Sequence, residues 1–324
     1  MTDPIQVICE NTGAAIEVPM GTTLLDVQRR LMPACDHPCL AAYVNNRTKE
    51  LNYRIYTPVT VRFLDITSFE GIRVYQRTVS FVLQKAVQEL WPDRRLHIRH
   101  SMGSNGFYCE VSGIDEFTDG QIDRLRDHML KLVGRDLPIR RTKALTEQVR
   151  SLYAAYGFED KIALLDTRPR LYSELYTIDG MPGYFYGSLA PSTGYVGLFD
   201  LQRYYNGFYI ALPLRSDPSR LNRTIHQEKM FDIFQEYQSW VRIMGVPTVG
   251  QLNSKVLGGD ASELIKIAEA FHEKKIASVA DAVYDANVAR GARVVLISGP
   301  SSSGKTTFAK RLGIQLRILG LNPV

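Results

Sequence analysis

Residues 299–307 read Gly299-Pro300-Ser301-Ser302-Ser303-Gly304-Lys305-Thr306-Thr307, and no other stretch limits the fold so tightly. A G-x-x-x-x-G-K-T run cradles phosphate when it joins a strand to a helix. The glycines let the backbone curl so that successive N–H groups face inward. Both flanks fit. Val294-Val295-Leu296-Ile297 is an apolar, β-branched run that reads as a strand. Beyond the loop, Phe308, Leu312, Leu316 and Leu319 fall on one helical stripe that would pack on a sheet, and Gly320 is placed to cap that helix. In this setting Gly299 to Thr307 would bind nucleotide at a helix N-terminus. Lys305 would be the catalytic cation at the β- and γ-phosphates, and the Thr306 hydroxyl the ligand to Mg²⁺. ATP and Mg²⁺ are the cofactors this predicts. Only Leu321-Asn322-Pro323-Val324 follow the helix. An acid for Mg²⁺, a base and an acceptor pocket do not fit there, so the chain reads as the front of a longer protein.

The chain has 324 residues, enough for two or three domains. With 45% hydrophobic and 23% charged residues it reads as soluble and globular. No apolar run reaches the length of a membrane span, and Met1-Thr2-Asp3-Pro4-Ile5 lacks a signal-peptide layout, which predicts a cytoplasmic protein without a membrane partner. The four cysteines, Cys9, Cys35, Cys39 and Cys109, are too few for a disulfide scaffold and read as free thiols in a reducing compartment. Cys35-Asp36-His37-Pro38-Cys39 has no second Cys/His pair at matching spacing to complete a four-ligand metal site. The net charge of +5 is compatible with weak RNA affinity.

In order, the chain predicts an α+β multidomain protein in four parts: 1–68, 69–216, 217–290 and 291–324. In the first, Ile5–Cys9 and Ala15–Val18 flank a hairpin signal, Asn11-Thr12-Gly13. Thr22 or Thr23 can cap a short helix, Ala41–Val44 meets the turn Asn45-Asn46, and Val59, Val61 and Phe63 alternate as a half-buried strand. This is a β-grasp order. In the second, Tyr75, Val79, Val82, Leu83, Ala86, Val87 and Leu90 form a helical stripe that stops at Trp91-Pro92. Residues 101–111 read as a turn then a strand, and Thr118-Asp119-Gly120-Gln121 as a capping box. Pro138–Arg141 reads as a strand, 144–156 as a helix, and a tyrosine-rich β region follows. The third part is a helical connector. Met230, Ile233, Phe234, Tyr237, Trp240, Val241 and Met244 give it an apolar face, and Asp260 opens a second helix.

Gly21-Thr22-Thr23-Leu24-Leu25-Asp26, followed by Tyr43-Val44-Asn45-Asn46, resembles the TGS domain of threonyl-tRNA synthetases and some GTPases. Glu89-Leu90-Trp91-Pro92, Gly106-Phe107-Tyr108 and Pro191-Ser192-Thr193-Gly194-Tyr195 resemble, in order and spacing, the editing-type second domain of threonyl-tRNA synthetase. That family holds zinc with a His-x-x-x-His and a Cys-x-x-x-His pair and hydrolyses mischarged tRNA. The matching positions here are Arg77, Phe81, Phe185 and Leu189, none of which ligates zinc, so the resemblance implies no zinc site. With the loop at 299–307 added, the whole arrangement resembles the long bacterial uridine kinases of the phosphoribulokinase/uridine kinase group. That resemblance implies transfer of the ATP γ-phosphate to the 5′-hydroxyl of a nucleoside (uridine or cytidine), with base and pocket beyond Val324 and residues 1–324 inactive alone. A second reading is an RNA- or tRNA-binding regulatory protein with a nucleotide switch in the loop. Its contacts would be Arg94-Arg95-Leu96-His97-Ile98-Arg99-His100 together with Arg135, Arg140, Arg141 and Lys143. A surviving aminoacyl-tRNA deacylase is a third, against which the four replaced ligands stand.

Overall fold

The computed structural model describes residues 4–33, 35–102, 106–221 and 225–324. The molecule is a mixed α+β, multidomain chain that divides into two compact units, residues 1–161 with 170–228, and 162–169 with 229–324.

In the first unit, β1 (Pro4–Cys9), β2 (Ala15–Pro19), α1 (Leu24–Leu31), β3 (Ala41–Val44), β4 (Arg47–Glu50) and β5 (Val59–Leu64) follow one another. Their sheet runs β2-β1-β5-β3-β4, with β1 and β5 parallel at its centre and the outer pairs antiparallel. Local chemistry dictates much of this. Asn45 and Asn46 both take the left-handed conformation (φ 47° and 63°) that a two-residue hairpin turn requires. Thr23, rather than Thr22, caps α1, its hydroxyl accepting from the Asp26 N–H at 3.1 Å. Val7, Val18, Leu24, Val27, Val61 and Phe63 close the core beneath the sheet.

The 22-residue helix α2 (Phe69–Leu90) carries the rest of this unit. One of its faces, with Val79, Val82, Leu83 and Ala86, joins α3 (Asp119–Gly134) over a sheet of β6 (Leu96–Met102), β7 (Gly106–Val111), β11 (Asp200–Tyr204) and β12 (Gly207–Ala211). The order is β11-β12-β7-β6, all antiparallel. Thr118 forms both halves of its capping box with Gln121. Of the reading of 101–111 as a turn and a strand, the strand is β7, residues 101 and 102 belong to β6, and residues 103–105 lie outside the described residues. Phe81, on another side of α2, enters a second core under β8 (Ile139–Leu145), β9 (Tyr172–Ile178) and β10 (Met181–Gly183). α4 (Thr146–Ala155) starts two residues later than its pattern suggests, because Ala144 and Leu145 pair with Ser173 and Tyr172 in the sheet. α5 (Glu159–Asp166) follows it, with residues 162–166 belonging to the second unit, and the short hairpin β13 (Pro213–Leu214) and β14 (Asp217–Leu221) ends the first.

The second unit is helical: α6 (Glu228–Ile243), α7 (Val249–Leu257), α8 (Ala261–Arg290) and α9 (Lys305–Ile318). Trp240 of α6 stacks on Phe271 of α8, centroids 5.0 Å apart at 12°. Met230, Ile233 and Tyr237 do not share that burial and stand exposed. α7, capped by Thr248, is an element the apolar periodicity did not announce. Val294–Ile297 is not a strand. Among the described residues none runs beside it, and a strand without a partner leaves its backbone groups unpaired. Val294 and Leu296 are 77% and 90% exposed. The stripe on α9 is as expected, but Leu312 and Leu316 pack on Ile276 and Ala280 of α8, not on a sheet.

Candidate nucleic-acid interface

Three places carry the residues singled out by the sequence. The first is the loop at 299–307. Ser302 (φ 60°) and Gly304 (φ 80°) are both left-handed, so the chain curls back before α9 starts at Lys305. The Lys305 ammonium donates to the Gly299 and Pro300 carbonyls at 2.9 and 2.7 Å, and so lies across the mouth of the curl. Ser301, Ser302, Ser303, Thr306 and Thr307 are exposed around it. A helix N-terminus with a cation folded over it can receive an anion.

The second place is the set of positions where a zinc site would lie. Phe81 and Phe185 meet at 5.0 Å between ring centroids, tilted by 55°, and Leu189 is buried with them. Phe81 fills the space so closely that a Cβ on Gly183 would stand 2.5 Å from its ring. Arg77 does not point away from this region. Its Nε donates to the Ser188 carbonyl at 3.0 Å, and its guanidinium lies on Gly187. Burial lowers the Arg77 pKa, because removal from water disfavours the charged form. The residues present therefore do not fit a zinc ion: they offer a cation, two phenyl rings and an isobutyl group.

The third is a cleft of about 1060 Å³ between the turn-and-strand region of 23–54 and the β8–β9 face. Its lining holds six cationic side chains, Arg29, Lys49, Arg54, Arg140, Arg141 and Lys143, against three carboxylates, Glu50, Asp136 and Glu174. Arg141 binds both Glu50 (3.1 Å) and Glu174. Burial opposes its charge, but the bond to Glu174 and the field of Tyr176 and Glu50 outweigh that and hold its pKa above the usual arginine range. Tyr176 donates to Glu50 and to the Gly187 carbonyl, and burial, with Glu50 next to it, pushes its pKa up. Asp136 is spent on the Ser192 hydroxyl and the Gly194 N–H, fixing the turn at 191–195. The carboxylates are thus engaged internally. Among the described residues Lys49, Arg140 and Lys143 have no ion-pair partner; Lys49 lies over Tyr53 (4.7 Å) and Lys143 over Tyr172 (5.4 Å).

The basic residues expected to act together are divided. Arg140, Arg141 and Lys143 line the cleft. Arg94 and Arg95 are used on the carbonyls of Ser112, Gly113 and Gly157, Arg99 is paired with Glu110 at 2.7 Å, and Arg135 reaches Asp179 at 3.7 Å. The stretch 94–100 is therefore largely a strand with its cations tied to neighbours, not a binding patch. Lys49, Tyr53 and Arg54 escaped the sequence reading, although basic and aromatic residues interleave from Arg47 to Arg54.

No protein-family model matches the chain. Its relatives are threonine–tRNA ligases. The enzyme of Rubrobacter xylanophilus is 28% identical over 190 residues, covering 59% of this chain and 29% of that protein. Threonine–tRNA ligase 1 of Bacillus subtilis is 26% identical over 204 residues, 62% of this chain and 31% of the relative. That of Desulforamulus reducens is 27% identical over 157 residues. The chain thus spans less than a third of the length of these curated relatives. They overturn the expectation of a nucleoside kinase: the named relatives are ligases of tRNA, not phosphotransferases of uridine. Among the described residues no helix is long and apolar enough to cross a membrane.

Proposed function

We propose that residues 1–216 form a tRNA-binding module, with the basic cleft as its contact surface. The observation that carries this reading is the charge arrangement: the cleft's carboxylates are engaged by Arg141, Ser192 and Gly194, while Lys49, Arg140 and Lys143 have no carboxylate partner among the described residues. Phosphates take such cations in exchange for released counterions, and tyrosines beside them offer faces for unstacked bases. The likeness to threonine–tRNA ligases favours tRNA over other RNA. The module binds without hydrolysing, since Arg77, Phe81, Phe185 and Leu189 supply no metal-held water. The test is a tRNA titration over a range of salt concentrations with wild type and Arg140→Ala/Lys143→Ala. Every cation–phosphate pairing that the substitutions remove should lower the salt slope by about 1. Equal affinity and equal slope in the variant would remove the cleft from the interface.

The loop supports a second, regulatory reading. Gly299, Pro300, Ser301, Ser302, Ser303, Gly304, Lys305, Thr306 and Thr307 hold the phosphates of ATP, with Thr306 toward Mg²⁺, as a nucleotide switch. The observation in its favour is the position of Lys305, whose two carbonyl bonds can be exchanged for phosphate oxygens. Lys305→Ala should weaken ATP binding, read by calorimetry, by about 1.5–3 kcal/mol, the scale of a hydrogen bond to a charged group. Unchanged affinity would sink this assignment.

A further inference from the structure

We propose that Cys35 and Cys39 are a redox-modification site, forming a reversible disulfide that pins the 35–39 loop beside Tyr195. The two sulfurs are 3.0 Å apart, with the Cys39 thiol donating to Cys35. A disulfide requires about 2.05 Å, so the loop needs to close by only about 1 Å. Their accessibility differs in the useful sense. Cys39 is buried in the β-grasp core, whereas Cys35 is half-buried at its edge and open to a reagent. Cys9 and Cys109 are fully buried and do not compete. Between the pair, His37 and Pro38 line an apolar pocket of about 160 Å³ together with Leu40, Tyr75, Tyr195 and Pro213. Tyr195, which packs against the same core as the pair, also lines the basic cleft.

The oxidant is a low-molecular-weight disulfide, RSSR. Cys35 loses its proton and its thiolate attacks one sulfur, expelling RS⁻, which takes up a proton as RSH and leaves a mixed disulfide. Cys39 then loses its proton and attacks the Cys35 sulfur, expelling the second RSH. Two protein thiols are oxidised by two electrons, and one RSSR is reduced to two RSH. Burial pushes both thiols up, and the hydrogen bond from Cys39 offsets this in part at Cys35, which favours the order in which Cys35 attacks and Cys39 closes.

The deciding readout is taken on the unaltered chain. The protein is equilibrated in glutathione buffers of increasing oxidised fraction, alkylated, and analysed by intact mass and peptide mapping. The expected result is joint loss of alkylation at Cys35 and Cys39, a mass before alkylation lower by about 2 Da for the two hydrogens removed, and full reversal by dithiothreitol. Cys35→Ser should abolish the link. A glutathione adduct persisting on Cys35 while Cys39 remains a thiol, or both thiols free at every ratio, would overturn the proposal.

Discussion

Replacing Phe81 by alanine tests whether the region around Phe81, Phe185 and Leu189 is a packed core. The side chain is completely buried, one ring diameter from Phe185 and against Leu189, Ile178 and Met181. Truncating a buried phenylalanine costs about 3–5 kcal/mol, a figure that combines lost transfer energy and the cavity left behind. For a unit of this size each kcal/mol lowers the midpoint by roughly 2–4 °C, so a fall of about 6–20 °C should be seen by calorimetry. Gly183 sharpens the argument. A Cβ there would lie 2.5 and 2.7 Å from two Phe81 ring carbons and 2.9 Å from Phe185. Gly183→Ala alone is therefore overpacked, at about 1–3 kcal/mol. Without the Phe81 ring, two of those three collisions disappear. In urea melts of both single variants and the double, the double should be more stable than additivity predicts by about 1–2 kcal/mol. Strictly additive losses, or a cost below about 1 kcal/mol for Phe81→Ala, would refute the view that Phe81 occupies the region.

Two further outcomes follow from named contacts. Burial raises the Tyr75 pKa to about 12, against the hydrogen bond to the Leu198 carbonyl. Below pH 10 both states keep the proton; above it the unfolded chain ionises first, so stability should fall between about pH 10 and 12, by at most roughly 2.7 kcal/mol, and Tyr75→Phe should flatten that slope in alkaline melts. Thr118→Ala removes the hydroxyl half of the α3 capping box while leaving the bond from the residue-118 N–H to the Gln121 side chain, and should cost about 1 kcal/mol by urea denaturation; Thr22→Ala, off the cap of α1, should cost less.

What could be read in advance was what neighbouring residues decide among themselves. Asn45-Asn46 announces a left-handed turn and Thr118 with Gln121 a helix start, whatever the remainder of the chain does. The stripe on α2 likewise states its own buried face. Val294–Ile297 failed because a strand is a property of two segments, and its composition says nothing of whether a partner lies alongside. The cleft was half legible for the same reason. Arg140, Arg141 and Lys143 are adjacent in sequence, but Lys49 and Tyr53 reach them only through the fold, and Glu50 reveals its role only once Arg141 and Tyr176 are beside it. Arg94, Arg95 and Arg99 misled because charge density does not disclose which cations are already held by carbonyls or carboxylates. The kinase reading joined the loop at 299–307 to the two resemblances in front of it, and the named relatives, all threonine–tRNA ligases, do not support that union.

The central pairing of β1 with β5 also governs how this chain emerges from a ribosome. β1 gains β2 almost at once, but its other edge waits for Val59, Thr60 and Val61, roughly 50 residues later. At about 5–20 residues per second that is roughly 3–10 s of synthesis during which the hairpin carries an open edge and the apolar side chains of Ile5, Val7 and Cys9 have no finished core. The strand made last in this sheet is the one that sits in its middle.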